Sequence, residues 1–436
     1  MKRFFLHLLT VCAICTSMQV SAQVSAFKAK YLICVSDADM VPSAYSNDQL
    51  GPVEGVDALS IVSLNGHPSE WKATAINVSN SVTGPPAVLS ITPDGRYAIV
   101  VETLKQRKES GDVKKLSELK PGSLITVVDI SNGIPKAVQK IDAPGIPLTI
   151  SINADGTLVA VTLQPQGVGE KTPLALYHFA NGKLSTPTIP EIPDWKNGDV
   201  LYDASFHPKE NTLVLVNQTG RELSFLRVSD TPSIAIENWG NKLPIDRGPF
   251  IARFSPDGRF VFVCGSYTGA DSPVPYAKGG VSAFRYTDSK KADGTPIHMM
   301  VSRASAGLIP EGLAISPDGQ FIVTTNLENS PRAFDDPKFR PYTSISLLKF
   351  DTQSGIITHI DDYPFEGLLS ESVVFDNTSR MIAVTNYSHA DQMLKGGTID
   401  FWRIENDPSL PNRFFLVKTR NSIQVSRGVH NLDIVR

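Results

Sequence analysis

Three ionisable side chains, Glu311, Glu371 and His430, recur at one equivalent position of a repeated phrase in this 436-residue chain. The phrase is clearest in "EGLAISPDGQFIVTTN", which starts at Glu311: an apolar run, Ser-Pro-Asp-Gly, then a second apolar run. Aligning every copy on the apolar residue before the turn and stepping back four places gives Ala87, Leu148, Tyr202, Phe250, Glu311, Glu371 and His430. The first four are apolar or aromatic, and the last three are ionisable and consecutive. Two carboxyl groups and an imidazole on one wall could hold a hydroxyl-rich ligand or supply a general acid and base. With Asn326 and Asn386, at the ends of the neighbouring apolar runs, they could hold a hard cation such as calcium through oxygen. These residue types choose neither the metal nor the reaction. The polar neighbours Ser372, Asn431 and Arg427 extend the same sector.

The phrase itself predicts a hairpin, because Asp-Gly tolerates the backbone of a tight turn between two strands. Six copies start at Ala87, Leu148, Tyr202, Phe250, Glu311 and Glu371. Two more strand-like runs separate successive copies, such as "SLITVVDIS" and "KAVQKID". Four short strands per unit, repeated at this period, predict the blades of a β-propeller. Period-2 alternation with frequent Pro and Gly excludes a helical solenoid. "HNLDIVR" (430–436) reads as a first strand with no second, and "KYLICVS" (30–36) as a second strand with no first. Joined, the two ends complete a seventh blade and leave no free sheet edge. The fold expected is all-β: a seven-bladed β-propeller of four-stranded blades, closed by its C-terminal strand.

"MKRFFLHLLTVCAICTSMQVSAQ" opens with Lys2 and Arg3, continues apolar and ends in Val20-Ser21-Ala22, which predicts a signal peptide over 1–22 and one domain over 23–436. The expected location is therefore outside the cytoplasm, in a periplasm or secreted, without a membrane span. The net charge of −3 gives no reason to expect a nucleic-acid partner. The expected partners are a small polar ligand or a protein, and the chain is expected to be a monomer. After the leader only Cys34 and Cys264 remain. They fall in blades on opposite sides of a ring of seven, too far apart for a bridge, so no disulfide is expected.

In a propeller the first strands line the channel, and the Ser-Pro-Asp-Gly turns occupy one face. Long second-to-third-strand loops occupy the other: 37–57, 102–122, 264–280, 326–343 and 386–397. Loops on a rigid scaffold are where binding residues gather. The 386–397 loop offers Tyr387 and His389, and 326–343 mixes Arg332 and Arg340 with aromatic residues. Glu102 and Lys105 begin the most charged loop. The expected ligand-binding set is Tyr202, Asn326, Asn386, Tyr387, His389 and Arg427, beside the candidate catalytic set Glu311, Glu371 and His430.

At "SPDGRFVFV", "SLITVVDIS" and "QFIVTTN" the chain resembles YVTN-type repeats and the lactonase-like seven-bladed propellers typified by 6-phosphogluconolactonase. The resemblance spans the chain after its leader and implies the fold together with sugar-lactone chemistry. The family's catalytic residues do not carry over. Where its Pro-His and arginines open the first strands, this sequence has Pro86-Ala87, Pro147-Leu148, Pro249-Phe250 and Pro310-Glu311. Where its Asn-Arg follows a second strand, Asn326-Leu327 and Asn386-Tyr387 stand. No Cys-x-x-Cys-His, phosphate-cradling glycine loop or Gly-x-Ser-x-Gly elbow is present. The reading is an exported propeller that binds a sugar acid, lactone, other carbohydrate or partner at the channel mouth, with no cofactor required. The alternative is a hydrolase or isomerase of a sugar lactone or cyclic ester working through the Glu/Glu/His wall.

Overall fold

The repeated turn owes its persistence to a compact hydrogen-bond set. In the computed structural model, Ser316 Oγ donates to Asp318 Oδ1 at 2.6 Å and accepts from Phe321 N at 2.9 Å, while Gln320 N reaches Asp318 Oδ1 at 3.0 Å. Gly319 takes φ +70°, a region that suits glycine. Ser255, Asp257 and Gly258 (φ +80°) repeat this arrangement. Where the phrase changes to "FDNTSRM", the carboxylate of Asp376 takes over by accepting from Thr378 N and Met381 N.

The structure describes residues 26–81, 83–107, 113–164, 173–246, 248–266, 277–410 and 413–436. The expected leader over 1–22 lies outside them. Blade 1 runs from the channel outward as Leu89–Ile91, Tyr97–Val101, Leu124–Asp129 and Lys136–Asp142. The inner strands of blades 2 to 6 are Ile146–Ile152, Leu201–Phe206, Pro249–Phe254, Pro310–Ile315 and Val373–Phe375. Blade 7 begins with the C-terminal strand Val429–Val435, followed by Tyr31–Ser36, Ala58–Ser63 and Ala73–Asn77. Leu32 pairs with Ile434 and Cys34 with Leu432, so the expected closure between the two ends is observed. Neighbouring inner strands touch around the whole ring.

Second strands are buried along their length, as in Thr212–Asn217, Phe321–Asn326 and Met381–Asn386. A blade packed on both faces needs apolar residues at odd and even positions, which explains runs such as "YAIVV" rather than strict alternation. Inner strands are stitched sideways by polar side chains. Ser372 Oγ accepts from Leu432 N at 3.0 Å, Asn431 Oδ1 from Leu89 N at 2.9 Å, and Asp203 Oδ2 from Ala252 N at 2.9 Å. Cys34 and Cys264 are free and buried in separate core clusters. Among the described residues no helix is long and apolar enough to cross a membrane.

Candidate functional site

Glu311 lies near the start of the inner strand of blade 5, and Glu371 just before that of blade 6. The backbones run so close that a Cβ on Gly312 would fall 2.6 Å from the Glu371 carbonyl oxygen. Glu311 keeps some accessible surface, yet protein surrounds it, and burial pushes its carboxyl up to about 8. Burial raises Glu371 well above the usual carboxylate range, and the Glu311 charge adds to that. Two acids in one poorly solvated place favour the state in which at least one holds a proton. Tyr202, edge-on to Phe250 with ring centroids 5.3 Å apart, has its phenol raised by burial and by the Glu311 charge.

His430 belongs to the same ring of positions and is tied to Asn80. Its Nε2 lies 2.8 Å from Asn80 Oδ1, the ring is wholly buried, and burial pushes it down to about 3. The imidazole is therefore neutral at physiological pH. Asn326 is engaged within its own blade, and Asn386 holds the connection that leads into its blade. Asn326 Nδ2 donates to Ser344 Oγ at 2.9 Å and Ser346 Oγ at 3.0 Å, and its Oδ1 accepts from Thr324 Oγ1 at 2.9 Å. Asn386 Oδ1 accepts from Leu368 N at 3.0 Å. Ser372 and Asn431 are occupied by the inner-strand stitches. The polar sector inferred from alignment thus divides into an acid pair and a set of structural hydrogen bonds.

The channel cavity holds about 380 Å³, and its walls include Glu371, Ser372 and Arg253. Over the acid pair at the long-loop face sits an apolar cap of Met40, Leu327, Leu369 and Tyr387, with Tyr45, Leu50 and Ile309 packed against it. Tyr45 stands on the short helix Ala44–Asn47 and feels the charges of Asp37, Glu371 and Glu311, which with burial raise its phenol well above the ordinary range. Tyr387 Oη donates to the Asp37 carbonyl oxygen at 3.3 Å.

Above this cap the loops 37–57, 326–343 and 386–397 surround a second cavity of about 390 Å³. They are tied to one another: Ser46 Oγ donates to Pro331 O at 2.8 Å, and Gly396 N to Glu54 Oε1 at 2.8 Å. Arg427 Nη1 meets Glu54 Oε2 at 2.8 Å, and its Nη2 donates to Ala38 O at 3.0 Å and Pro52 O at 2.8 Å. Arg332, His389, Lys395 and Arg427 line this cavity along with Ser43, Ser330 and Ser388. Two buried nitrogens of its lining residues, Arg427 Nε and His389 Nδ1, have no hydrogen-bond partner. His389 Nδ1 comes no nearer than 3.8 Å to the Glu366 carboxylate.

Sequence reasoning passed over the N-terminal loop. Asp37, Asp39 and Asp57 stand at its two stems and meet in the fold, fully buried. Arg107, from the charged 102–122 loop, reaches in to bond the backbone and carboxylate of Asp39 and donates to Gly51 O at 2.9 Å. The spacing "DAD" directly after a buried strand was the available signal. Glu102 is structural, since its Oε2 accepts from Ser123 N at 3.1 Å and Leu124 N at 3.3 Å.

Ring closure, four-stranded blades and a channel mouth built from long loops define a lactonase-like seven-bladed β-propeller. A candidate 6-phosphogluconolactonase of Bacteroides fragilis superposes with TM-score 0.60 at 13% identity, over 93% of this chain and 98% of its own. A similar protein of Bacteroides uniformis gives 0.60 at 13%, over 93% and 100%. The periplasmic gluconolactonase PpgL of Pseudomonas aeruginosa gives 0.58 at 15%, over 93% and 99%. At such identities the likeness is one of fold. No protein-family model matches the chain, and no curated protein matches it in sequence.

Proposed function

We propose that the protein binds a small anionic or strongly polar carbohydrate, a sugar acid or its lactone, at the long-loop mouth of the channel. The observation that carries this reading is the cavity of about 390 Å³ ringed by Arg332, Lys395, His389 and Arg427, with two unpartnered buried nitrogens in its lining residues. The cationic side chains suit a carboxylate, which would share Arg332 with Asp336 and Arg427 with Glu54. The serine hydroxyls suit sugar hydroxyls. PpgL, which shares the fold, is a gluconolactonase, and that points to the same substrate class. The expected signal peptide would place this binding in the periplasm or outside the cell.

A second reading rests on a separate observation, the coupled pair Glu311 and Glu371. With Glu311 protonated near neutrality, one acid would donate a proton to a lactone carbonyl while its neighbour, once ionised, takes one from water. Lactone hydrolysis would then run from the channel side, where Glu371 is among the lining residues.

Thermal-shift titration with gluconate, gluconolactone and glucose separates the readings. The binding reading expects gluconate to raise the melting temperature, and expects His389→Gln or Arg332→Gln to abolish the shift. Gluconate acting equally on both variants, or having no effect at millimolar concentration, would overturn it. The hydrolase reading expects gluconolactone turnover that Glu371→Gln removes and His389→Gln does not.

A further inference from the structure

The strongest unexplained feature outside the ligand cavity is the acid cluster at the stems of the 37–57 loop. Asp37 and Asp39 follow the strand Tyr31–Ser36, and Asp57 precedes Ala58–Ser63. Each contributes a carboxylate oxygen, and these oxygens all lie within 4.8 Å of one another. All three residues have essentially no accessible surface.

Such a cluster needs compensation, and the protein supplies only part of it. Asp57 Oδ2 accepts from Asn80 N and Ser81 Oγ, both at 3.2 Å, and Asp39 Oδ2 accepts from Arg107 N. Both oxygens of Asp37, Oδ1 of Asp39 and Oδ1 of Asp57 have no hydrogen-bond partner although wholly buried. Buried carboxylate oxygens are ordinarily satisfied. Nor does charge balance locally. Arg107 and Arg427 face four carboxylates, those of Asp37, Asp39, Asp57 and Glu54, and Glu54 is already paired with Arg427. Their side-chain donors are directed mainly at backbone carbonyls of the loop, Asp39 O, Gly51 O, Ala38 O and Pro52 O. With all four ionised, two negative charges would be left over, which is the charge of one divalent cation.

We infer that Asp37, Asp39 and Asp57 form a site for a hard divalent cation, calcium before magnesium, that staples the two stems of the 37–57 loop. Calcium bonds to oxygen at about 2.3–2.6 Å, so ligand oxygens around one ion lie no more than roughly 5 Å apart, as the cluster requires. Magnesium holds its waters more tightly and is less suited to a buried carboxylate cage. Oxygen-only ligands argue against zinc and copper. The loop so fixed carries Tyr45 into the cap and Glu54 to Arg427, so the cation is a structural support of the loop face. This inference does not depend on what the cavity binds.

The test is calcium titration of protein stripped with a chelator, followed by isothermal calorimetry and by melting temperature. One calcium per chain, a rise in melting temperature that saturates with calcium, and a much weaker response to magnesium are expected. Asp37→Asn and Asp57→Asn, near-isosteric changes, are each expected to weaken calcium binding at least tenfold. Their circular dichroism and cooperative melting without calcium show whether each is folded. Should one fail to fold, Asp39→Asn and terbium luminescence of the wild type with calcium competition provide the same reading. No calcium, magnesium or manganese binding by the folded wild type would overturn the site. Calcium binding of unchanged affinity in the folded variants would do so as well.

Discussion

Replacing Glu311 by glutamine tests the acid pair without changing its shape. In the folded protein burial holds this carboxyl at about 8, against an ordinary value of 4.5. A raised carboxyl contributes its stability fully below pH 4.5 and loses it as the pH climbs through 8. The span of about 3.5 pH units, at about 1.4 kcal/mol each, sets an upper bound of roughly 5 kcal/mol. Glutamine has no charge to bury, so the variant should match the wild type near pH 4.5 and exceed it increasingly up to pH 9. Relief of the repulsion felt by Glu371 adds to the gain. For 436 residues, an unfolding entropy of about 2.1 cal/mol/K per residue makes 5 kcal/mol equal to about 5 °C. The assay is the melting temperature of both proteins by circular dichroism from pH 4.5 to 9. Curves that run parallel over that range would refute the reasoning, because Glu311 would then ionise alike in both states.

His430 has the opposite sign: its ring is held at about 3, so stability is lost as pH falls below 6.5, and His430→Gln should flatten the acid limb of the melting curve between pH 6.5 and 3. A variant as acid-sensitive as wild type would contradict its burial. Deleting 429–436 removes Val429, Leu432, Ile434 and Val435 from the core, about 1.5–3 kcal/mol each, comparable with the whole stability of a domain. Size-exclusion and melting should show an aggregated or non-cooperative product. Arg427→Met strands Glu54 and the Ala38 and Pro52 carbonyls, and should cost about 3 kcal/mol in denaturant midpoints and expose the 37–57 loop to proteolysis. Burial pushes both Cys34 and Cys264 up to about 12, so a thiol reagent should find two thiols in leader-free protein only after denaturation.

The blades were legible because a propeller writes its architecture locally. Each Ser-Pro-Asp-Gly turn is held by its own Ser and Asp side chains bonding to the residues just after it, and each second strand announces two-sided burial. Closure was legible because one strand was missing at each end. Inner strands run side by side at the same height, which is why Glu311 and Glu371 feel each other and the Glu311 charge reaches Tyr202. Side-chain direction was not legible. His430 keeps the height of the glutamates but bonds Asn80, supplied by the connection into blade 1. Asn326 and Asn386 look available in sequence, and their partners Ser344, Ser346 and Leu368 lie 18 to 20 positions away. The acid cluster joins residues 37, 39, 57 and 107 across two irregular loops. No periodic pattern encodes such a meeting, and only the folded loop stems bring it about.

The most direct test of binding at the loop-face mouth is the crystal structure of the protein grown with gluconate. Ligand density is expected in the cavity bounded by the 37–57, 326–343 and 386–397 loops, with the carboxylate contacting Arg332, His389 or Arg427. Ligand density confined to the channel beside Glu371, or this cavity left without ligand at saturating gluconate, would contradict it.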